Sequence, residues 1–261
     1  MARLDRVVYK KYLKSIMYYD VGAFPDLIYP LSSRLIQKGK KRELEQRVRT
    51  DWQARGNNVF LKKYIGIDPY FEIDLQEDNL IHYKCVVSDV EDDKKDFYII
   101  KPDCSSSLFH LDERERAKIS GKKSGRNIRK DTVICRKLSN IINENGGNID
   151  VLKIDAHGSE YVILKDIEKY IKNIAAIDIE MWTTQWYEGA VLFEGSHQFL
   201  SDHFFVSVYV VEPFQGISVD LLYVNSNYKD KDKLDFIKKL YGVTEKTIID
   251  AEKQVENQIN Y

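Results

Sequence analysis

Acidic residues recur in this chain at the points where short apolar runs stop. Asp20-Val21-Gly22-Ala23, Asp68-Pro69, Ser88-Asp89, Asp155-Ala156-His157-Gly158 and Glu180-Met181-Trp182 each end or follow such a run. In an open α/β sheet, ligands bind beyond the carboxyl ends of the strands, where the strand order reverses. Carboxylates there suit a ligand rich in hydroxyl or amino groups. Asp68 is placed to accept from ribose hydroxyls, and Asp89 could accept from an adenine amino group. Gly22 would let the backbone approach a nucleoside more closely than a residue with a side chain. Asp and Gly are common wherever strands stop, so any one position means little. The set of five, in this order, is far more restrictive.

The elements that must position these residues alternate between strand-like and helix-like runs, the pattern of an α/β domain with a mostly parallel sheet. Strands are expected over 16–21, 60–68, 80–87, 149–154 and 174–179, with 96–100 as an edge strand or short hairpin. Ile163, Leu164, Ile167 and Ile171 recur at helical spacing, so 160–171 should be a crossover helix in a right-handed βαβ unit. The runs 204–211 and 218–224 are separated by a link too short for a helical crossover, which makes them antiparallel. Seven strands result: a Rossmann-like, mostly parallel sheet closed by an antiparallel C-terminal hairpin. Residues 31–58 read as a basic helical insertion, 104–131 as a mobile loop rich in Ser, Gly and charge, and 229–261 as a helical extension. The extension would pack on the body or on a second subunit, which allows a homo-oligomer.

With 43% hydrophobic and 12% aromatic residues, the chain can bury enough surface to offset its ordering entropy. It has no apolar run of membrane-spanning length and no secretory leader pattern. Cys85, Cys104 and Cys135 are odd in number and widely spaced, which suggests a reducing, cytoplasmic setting, and no metal-ligand set is read from the sequence. The net charge of −1 hides ten Lys/Arg against three Asp/Glu over 34–63, and eight against four over 112–131. Two basic stretches on an acidic body suggest local contacts with anions or simply solvated faces.

The stretch Asn148-Ile149-Asp150-Val151-Leu152-Lys153-Ile154-Asp155-Ala156-His157-Gly158-Ser159-Glu160 resembles the hallmark of FkbM-type methyltransferases, usually D-x-L-K-I-D-V-E-G-x-E. Other matches follow in order. Tyr19-Asp20-Val21-Gly22-Ala23 resembles the family's first nucleotide-binding motif, Ile67-Asp68-Pro69 its E-P, Val86-Val87-Ser88-Asp89 its A-V-S-D, and Ser106-Ser107-Leu108 its S-S-L. Residues 133–142 resemble the segment before the hallmark, and Ile177-Asp178-Ile179-Glu180 a strand ending in Glu. The chain departs from the pattern in three places. Phe24-Pro25-Asp26 replace the Asn-x-Gly after Ala23, His157 stands where Glu is usual, and Asp68 follows Asp20 at more than twice the expected interval.

The resemblance implies S-adenosyl-L-methionine as cofactor, the seven-strand methyltransferase fold, and O-methylation, typically of a sugar or glycan hydroxyl. It assigns Asp20, Gly22, Ala23, Phe24, Asp68, Pro69, Ser88, Asp89 and Asp155 to cofactor binding. A sugar hydroxyl is a poor nucleophile at neutral pH and benefits from a general base. Asp155, His157 and Glu180 are the candidates, and an imidazole's ordinary pKa of ~6.5 suits the role best. Trp182, Trp186 and Tyr187 could stack on a sugar face or fill the core. Two other readings stand beside this one. The basic segment would fit a nucleic-acid acceptor, and the altered first motif would fit a methyltransferase-like binding or scaffold protein. A dehydrogenase fits less well, because G-x-G-x-x-G is absent.

Overall fold

A computed structural model of the chain describes residues 15–22, 62–69, 80–100, 106–112, 114, 117–118, 128–213 and 217–259. Its main sheet has seven strands: β1 (Met17–Val21), β2 (Lys63–Ile67), β3 (Leu80–Tyr83), β7 (Val151–Ile154), β8 (Ala176–Trp182), β9 (Phe205–Pro213) and β10 (Ser218–Asn225). Three more strands, β4 (Val86–Val87), β5 (Asp93–Ile100) and β6 (Ile128–Arg136), make a separate sheet in the order β4-β6-β5. The main sheet runs β3-β2-β1-β7-β8-β10-β9. Its first five strands are parallel, and β10 is antiparallel to both β8 and β9. The seven-strand sheet with its terminal hairpin is as expected. From β1 the chain order steps outward in both directions, so the switch point lies between β1 and β7.

Alternation along the strands explains the layers. Met17, Tyr19 and Val21 of β1, Leu152 and Ile154 of β7, and Ile177 and Ile179 of β8 share one buried core. That core also takes in α1 (Leu138–Glu144), α2 (Glu160–Asp166) and α3 (Phe193–Asp202) through Ile141, Ile142, Ile163, Leu164, Phe193 and Leu200. The opposite face begins apolar: Val151, Ala176, Leu222 and Val224 pack with Leu234, Phe236 and Ile237 of α4 (Lys231–Leu240). Toward the carboxyl ends the same face turns charged. Asp20, Lys153 and Asp178 are register partners across β1, β7 and β8, and Glu180 pairs with Asp220 one row further on.

Four local expectations are revised. The strand over 80–87 breaks after Tyr83, whose carbonyl accepts from Asp68 N and from Cys85 N, both at 3.1 Å. That turn sends Val86 to pair with Cys135 in the second sheet. The run at 96–100 belongs to β5, paired antiparallel with β6 rather than at the main sheet's edge. The tail of the expected loop, residues 128–131, lies in β6, and residues 106–112 are bridged to Tyr98 through Ser107 and to Tyr187 through Leu111. The helix over 160–171 stops at Asp166 and continues as a 3-10 helix, Glu168–Asn173.

The C-terminal extension divides at Gly242 (φ +73°) into α4 and α5 (Glu245–Ile259). Its apolar positions Leu234, Ile237, Ala251 and Val255 are buried on the chain's own body. Asp150 anchors this arrangement: its carboxylate accepts from Met17 N (2.8 Å), Tyr228 OH (3.0 Å) and Lys233 Nζ. No helix among the described residues is long and apolar enough to cross a membrane. The basic insertion 31–58, together with Ala23 and Phe24, lies outside the described residues.

Candidate active site

At the switch point the backbones of β1 and β7 meet closely. Gly22 N donates to Ile67 O, and Asp155 N donates to Val21 O, both at 3.0 Å. Gly22 sits at φ +75°, and a Cβ there would come within 1.9 Å of Asp155 O. The close approach of these two parallel neighbours leaves no room for a side chain at position 22, a reason for glycine that the sequence reading did not include.

At this close approach the chain gathers Asp20, Lys153, Asp155, His157 and Glu180. Lys153 Nζ lies 3.2 Å from Asp155 Oδ2 and 3.8 Å from Asp20 Oδ1. His157 Nε2 is 3.3 Å from Asp155 Oδ1 and 3.8 Å from Glu180 Oε2. Glu180 Oε1 accepts from Ser218 Oγ at 3.0 Å, while its Oε2 is buried without a hydrogen-bond partner. The electrostatics separate the two acids. Burial works to raise the Asp155 carboxyl, but the adjacent Lys153, joined by His157 whenever its ring is protonated, holds it below the usual range. Burial, then the charges of Asp155 and Asp220, push Glu180 well above it. Asp178, buried on the same face, is pushed up to about 6.

The loop carrying His157 is held from both sides. Glu160, the first residue of α2, is 2% exposed and accepts from the N–H groups of Ala156 (3.1 Å) and Gly158 (2.9 Å). Its carboxyl is pushed up to about 8, chiefly by burial. Ser107 Oγ donates to His157 O, and His157 Nδ1 lies 3.1 Å from Ser106 O. His157 itself adopts φ +49°, a conformation costing a non-glycine residue about 1–3 kcal/mol, so these contacts must outweigh local preference. Gly158 (φ +103°) has Ala190, Phe109 and Tyr187 each 3.2 Å from where a Cβ would stand. The imidazole lies between Tyr187 (stacked, 6.0 Å) and Trp182 (edge-on, 6.1 Å).

Sequence reasoning named Asp155, His157 and Glu180, and the structure brings all three together with Asp20 and Gly22. Asp68, 7% exposed, ends the neighbouring β2, followed by the half-buried Pro69. Ser88 and Asp89 lie past β4, where Asp89 Oδ1 accepts from Ser88 Oγ (2.8 Å) and Lys95 Nζ (2.5 Å). Those two hydrogen bonds hold the Asp89 carboxyl below its usual range. Tyr187 and Trp182 are core residues, in a cluster with Leu111, Ala190 and Ile217, and the half-buried Trp186 packs against it. Sequence reasoning gave Lys153 a packing or pairing role and missed that it is the cation among these acids. It also missed Ser107, Glu160 and Ser218 as supports. The i, i+2 spacing of Lys153 with Asp155, and of Asp178 with Glu180, carried that signal.

Among curated proteins and among solved structures, none matches the chain. A family model, the methyltransferase FkbM domain, matches residues 7–207. The match spans most of the chain and includes β1, the whole of β7 and α2, and the Asp155-His157-Glu180 cluster, and the chain belongs to the FkbM family of S-adenosylmethionine-dependent methyltransferases.

Proposed function

We propose that the protein transfers a methyl group to a hydroxyl of a sugar or glycan, using Asp155, His157 and Glu180 to prepare the acceptor. The observation that carries this reading is the convergence of those three side chains at the ends of β7 and β8, beside the switch point. Residues of the site also suit the cofactor. Asp68 is a buried acid at the end of β2, where vicinal ribose hydroxyls need acceptors. Asp20 and Asp155 lie 3.8 and 3.2 Å from Lys153, and the buried Asp178 and Glu180 add to the acidic surroundings, a setting that favours a cation. When bound, S-adenosylmethionine supplies an electrophilic methyl on a sulfonium.

The chain's own groups then have two tasks. They hold the acceptor oxygen in line with the methyl carbon, where positioning supplies much of the rate. They also take the hydroxyl proton as the oxygen–carbon bond forms and the carbon–sulfur bond breaks, its electron pair staying on sulfur. Lys153 keeps Asp155 ionised for this purpose, and the Ser107 and Glu160 contacts fix the direction of the imidazole. The free, buried thiols of Cys85 and Cys135 support a cytoplasmic setting.

Calorimetric titration with S-adenosylhomocysteine tests the cofactor half of the reading. Micromolar binding is expected, weakened at least tenfold in Asp68→Ala. Transfer of labelled methyl to a panel of mono- and oligosaccharides, with RNA alongside, tests the acceptor half. Labelling of RNA alone would overturn the hydroxyl-of-a-sugar assignment.

A further inference from the structure

His157 Nδ1 faces the carbonyl oxygen of Ser106 at 3.1 Å. A carbonyl only accepts, so Nδ1 carries a ring proton, and in the neutral imidazole Nε2 directs a lone pair into the site. That lone pair faces Asp155 Oδ1 at 3.3 Å and Glu180 Oε2 at 3.8 Å. Three acceptor atoms therefore converge, with one ligand atom from each residue lying within 4.8 Å of the other two. The Glu180 oxygen among them is sealed from solvent and lacks a hydrogen-bond partner. Such acceptors repel one another unless a positive charge sits between them. A shared proton satisfies two of them, whereas a divalent cation satisfies three.

The spacing fits the second case. A cation about 2.1 Å from each ligand sets ligand–ligand edges of roughly 3.0 Å in an octahedron and 3.4 Å in a tetrahedron. The two edges at His157, 3.3 and 3.8 Å, lie close to these values, and the third, between the Asp155 and Glu180 oxygens, is within 4.8 Å. Each ligand is also gripped from behind: His157 by Ser106 O, Asp155 by Lys153 Nζ, and Glu180 by Ser218 Oγ. Metal-binding side chains are oriented by outer partners of this kind.

We propose that Asp155, His157 and Glu180 ligate one divalent cation, of the manganese or zinc class that accepts imidazole and carboxylate together. Three protein ligands leave a position open, as in catalytic rather than structural sites. The acceptor hydroxyl takes that position, and the cation lowers its pKa. Its proton leaves to solvent by way of an unliganded carboxylate oxygen, and the oxygen gains the methyl as the carbon–sulfur bond breaks. This deepens the O-methyltransferase reading and rests on it for the acceptor's part, while cation binding can be measured without any acceptor.

The test titrates the chelator-stripped full chain with manganese chloride, followed by electron paramagnetic resonance of free manganese and by calorimetry. The expected result is one ion per chain, with affinity falling at least tenfold in His157→Gly and in Glu180→Gln. Glycine suits the positive φ at position 157, and circular dichroism confirms that each variant is folded. Absence of stoichiometric binding by the folded protein, or binding by either variant as tight as by the unaltered protein, overturns the site. S-adenosylhomocysteine titration of the same samples separates the two ideas. Cofactor binding without manganese binding defeats only the cation site. Manganese binding without cofactor binding upholds the site and defeats the cofactor reading.

Discussion

Replacing Glu160 by Gln should make the pH dependence of stability flatter and cause the two stability curves to cross. The Glu160 carboxyl is 2% exposed and pushed from an ordinary 4.5 to about 8, with burial the largest cause and the Asp155 charge adding to it. The unfolded chain releases this proton near pH 4.5, whereas the folded protein keeps it until about pH 8. Between those values the folded state binds more protons, so stability falls as pH rises. The slope approaches 1.36 kcal/mol per pH unit, and the whole window accounts for about 5 kcal/mol. The contribution is complete below about pH 4.5 and gone above about pH 8.

Gln keeps the shape and the oxygen that accepts from both Ala156 N and Gly158 N at 3.1 Å, but it sets an amide NH₂ where the second oxygen meets the Gly158 N–H at 2.9 Å. Two buried donors facing each other without an acceptor cost about 1–3 kcal/mol. Near pH 5 the variant should therefore be less stable than wild type by about that amount. By pH 8 it escapes the titration penalty and should be the more stable of the two by about 2–4 kcal/mol. Urea denaturation from pH 5 to 8.5 with chelator present measures both curves. Asp178 and Glu180 titrate in both proteins, so the difference between the curves reports Glu160 together with the effect of its charge on Glu180. Parallel curves would refute the assignment of a buried, protonated Glu160.

Three further outcomes follow from the same geometry. Gly22→Ala should destabilise the protein by at least about 2 kcal/mol and weaken S-adenosylhomocysteine binding, because its Cβ would meet Asp155 O at 1.9 Å; an unchanged melting temperature would show that the ends of β1 and β7 do not approach this closely. Asp150→Ala should cost about 3–5 kcal/mol by leaving Lys233 without its counter-charge and Tyr228 OH without its acceptor, and adding Lys233→Met should recover part of it in a double-mutant cycle. Lys153→Met removes the cation beside Asp155 and Asp20, so its cost should be about 3–5 kcal/mol at pH 8 and smaller at pH 5, where Asp178, pushed up to about 6, is protonated; equal losses at both pH values would place the charge balance elsewhere.

The parts legible in the sequence were those whose signal is local. The β7–α2 hallmark reads directly, because Val151, Leu152 and Ile154 form a buried run and Asp155 to Glu160 is a turn of fixed residue types. The hairpin of β9 and β10 reads from the shortness of its link. β6 did not read as a strand because Arg129, Lys130 and Asp131 break its alternation, and Ile134 stays half-exposed on a two-sided polar ribbon. The break after Tyr83 was equally hidden. It arises from Asp68 N reaching Tyr83 O, a contact between residues fifteen apart that no local pattern encodes.

The same division runs through the site itself. Strand ends supplied Asp155 and Glu180, since position along a strand fixes which residue stands at its tip. What turns those acids into a centre is cross-strand register. Asp20, Lys153 and Asp178 align on one row, and Glu180 with Asp220 on the next, only once the order β1-β7-β8-β10 is known. A lysine facing one strand tip is a pairing residue, but on a row of acids it decides which of them stays charged. The departure of His157 from the family's usual Glu acquires its meaning at this level. A third carboxylate beside Asp155 and Glu180 would add negative charge to a buried pair whose repulsion already pushes Glu180 up. An imidazole whose Nδ1 faces Ser106 O offers in its neutral form a lone pair without that charge, so the cluster can accept one cation without a second lysine to balance it.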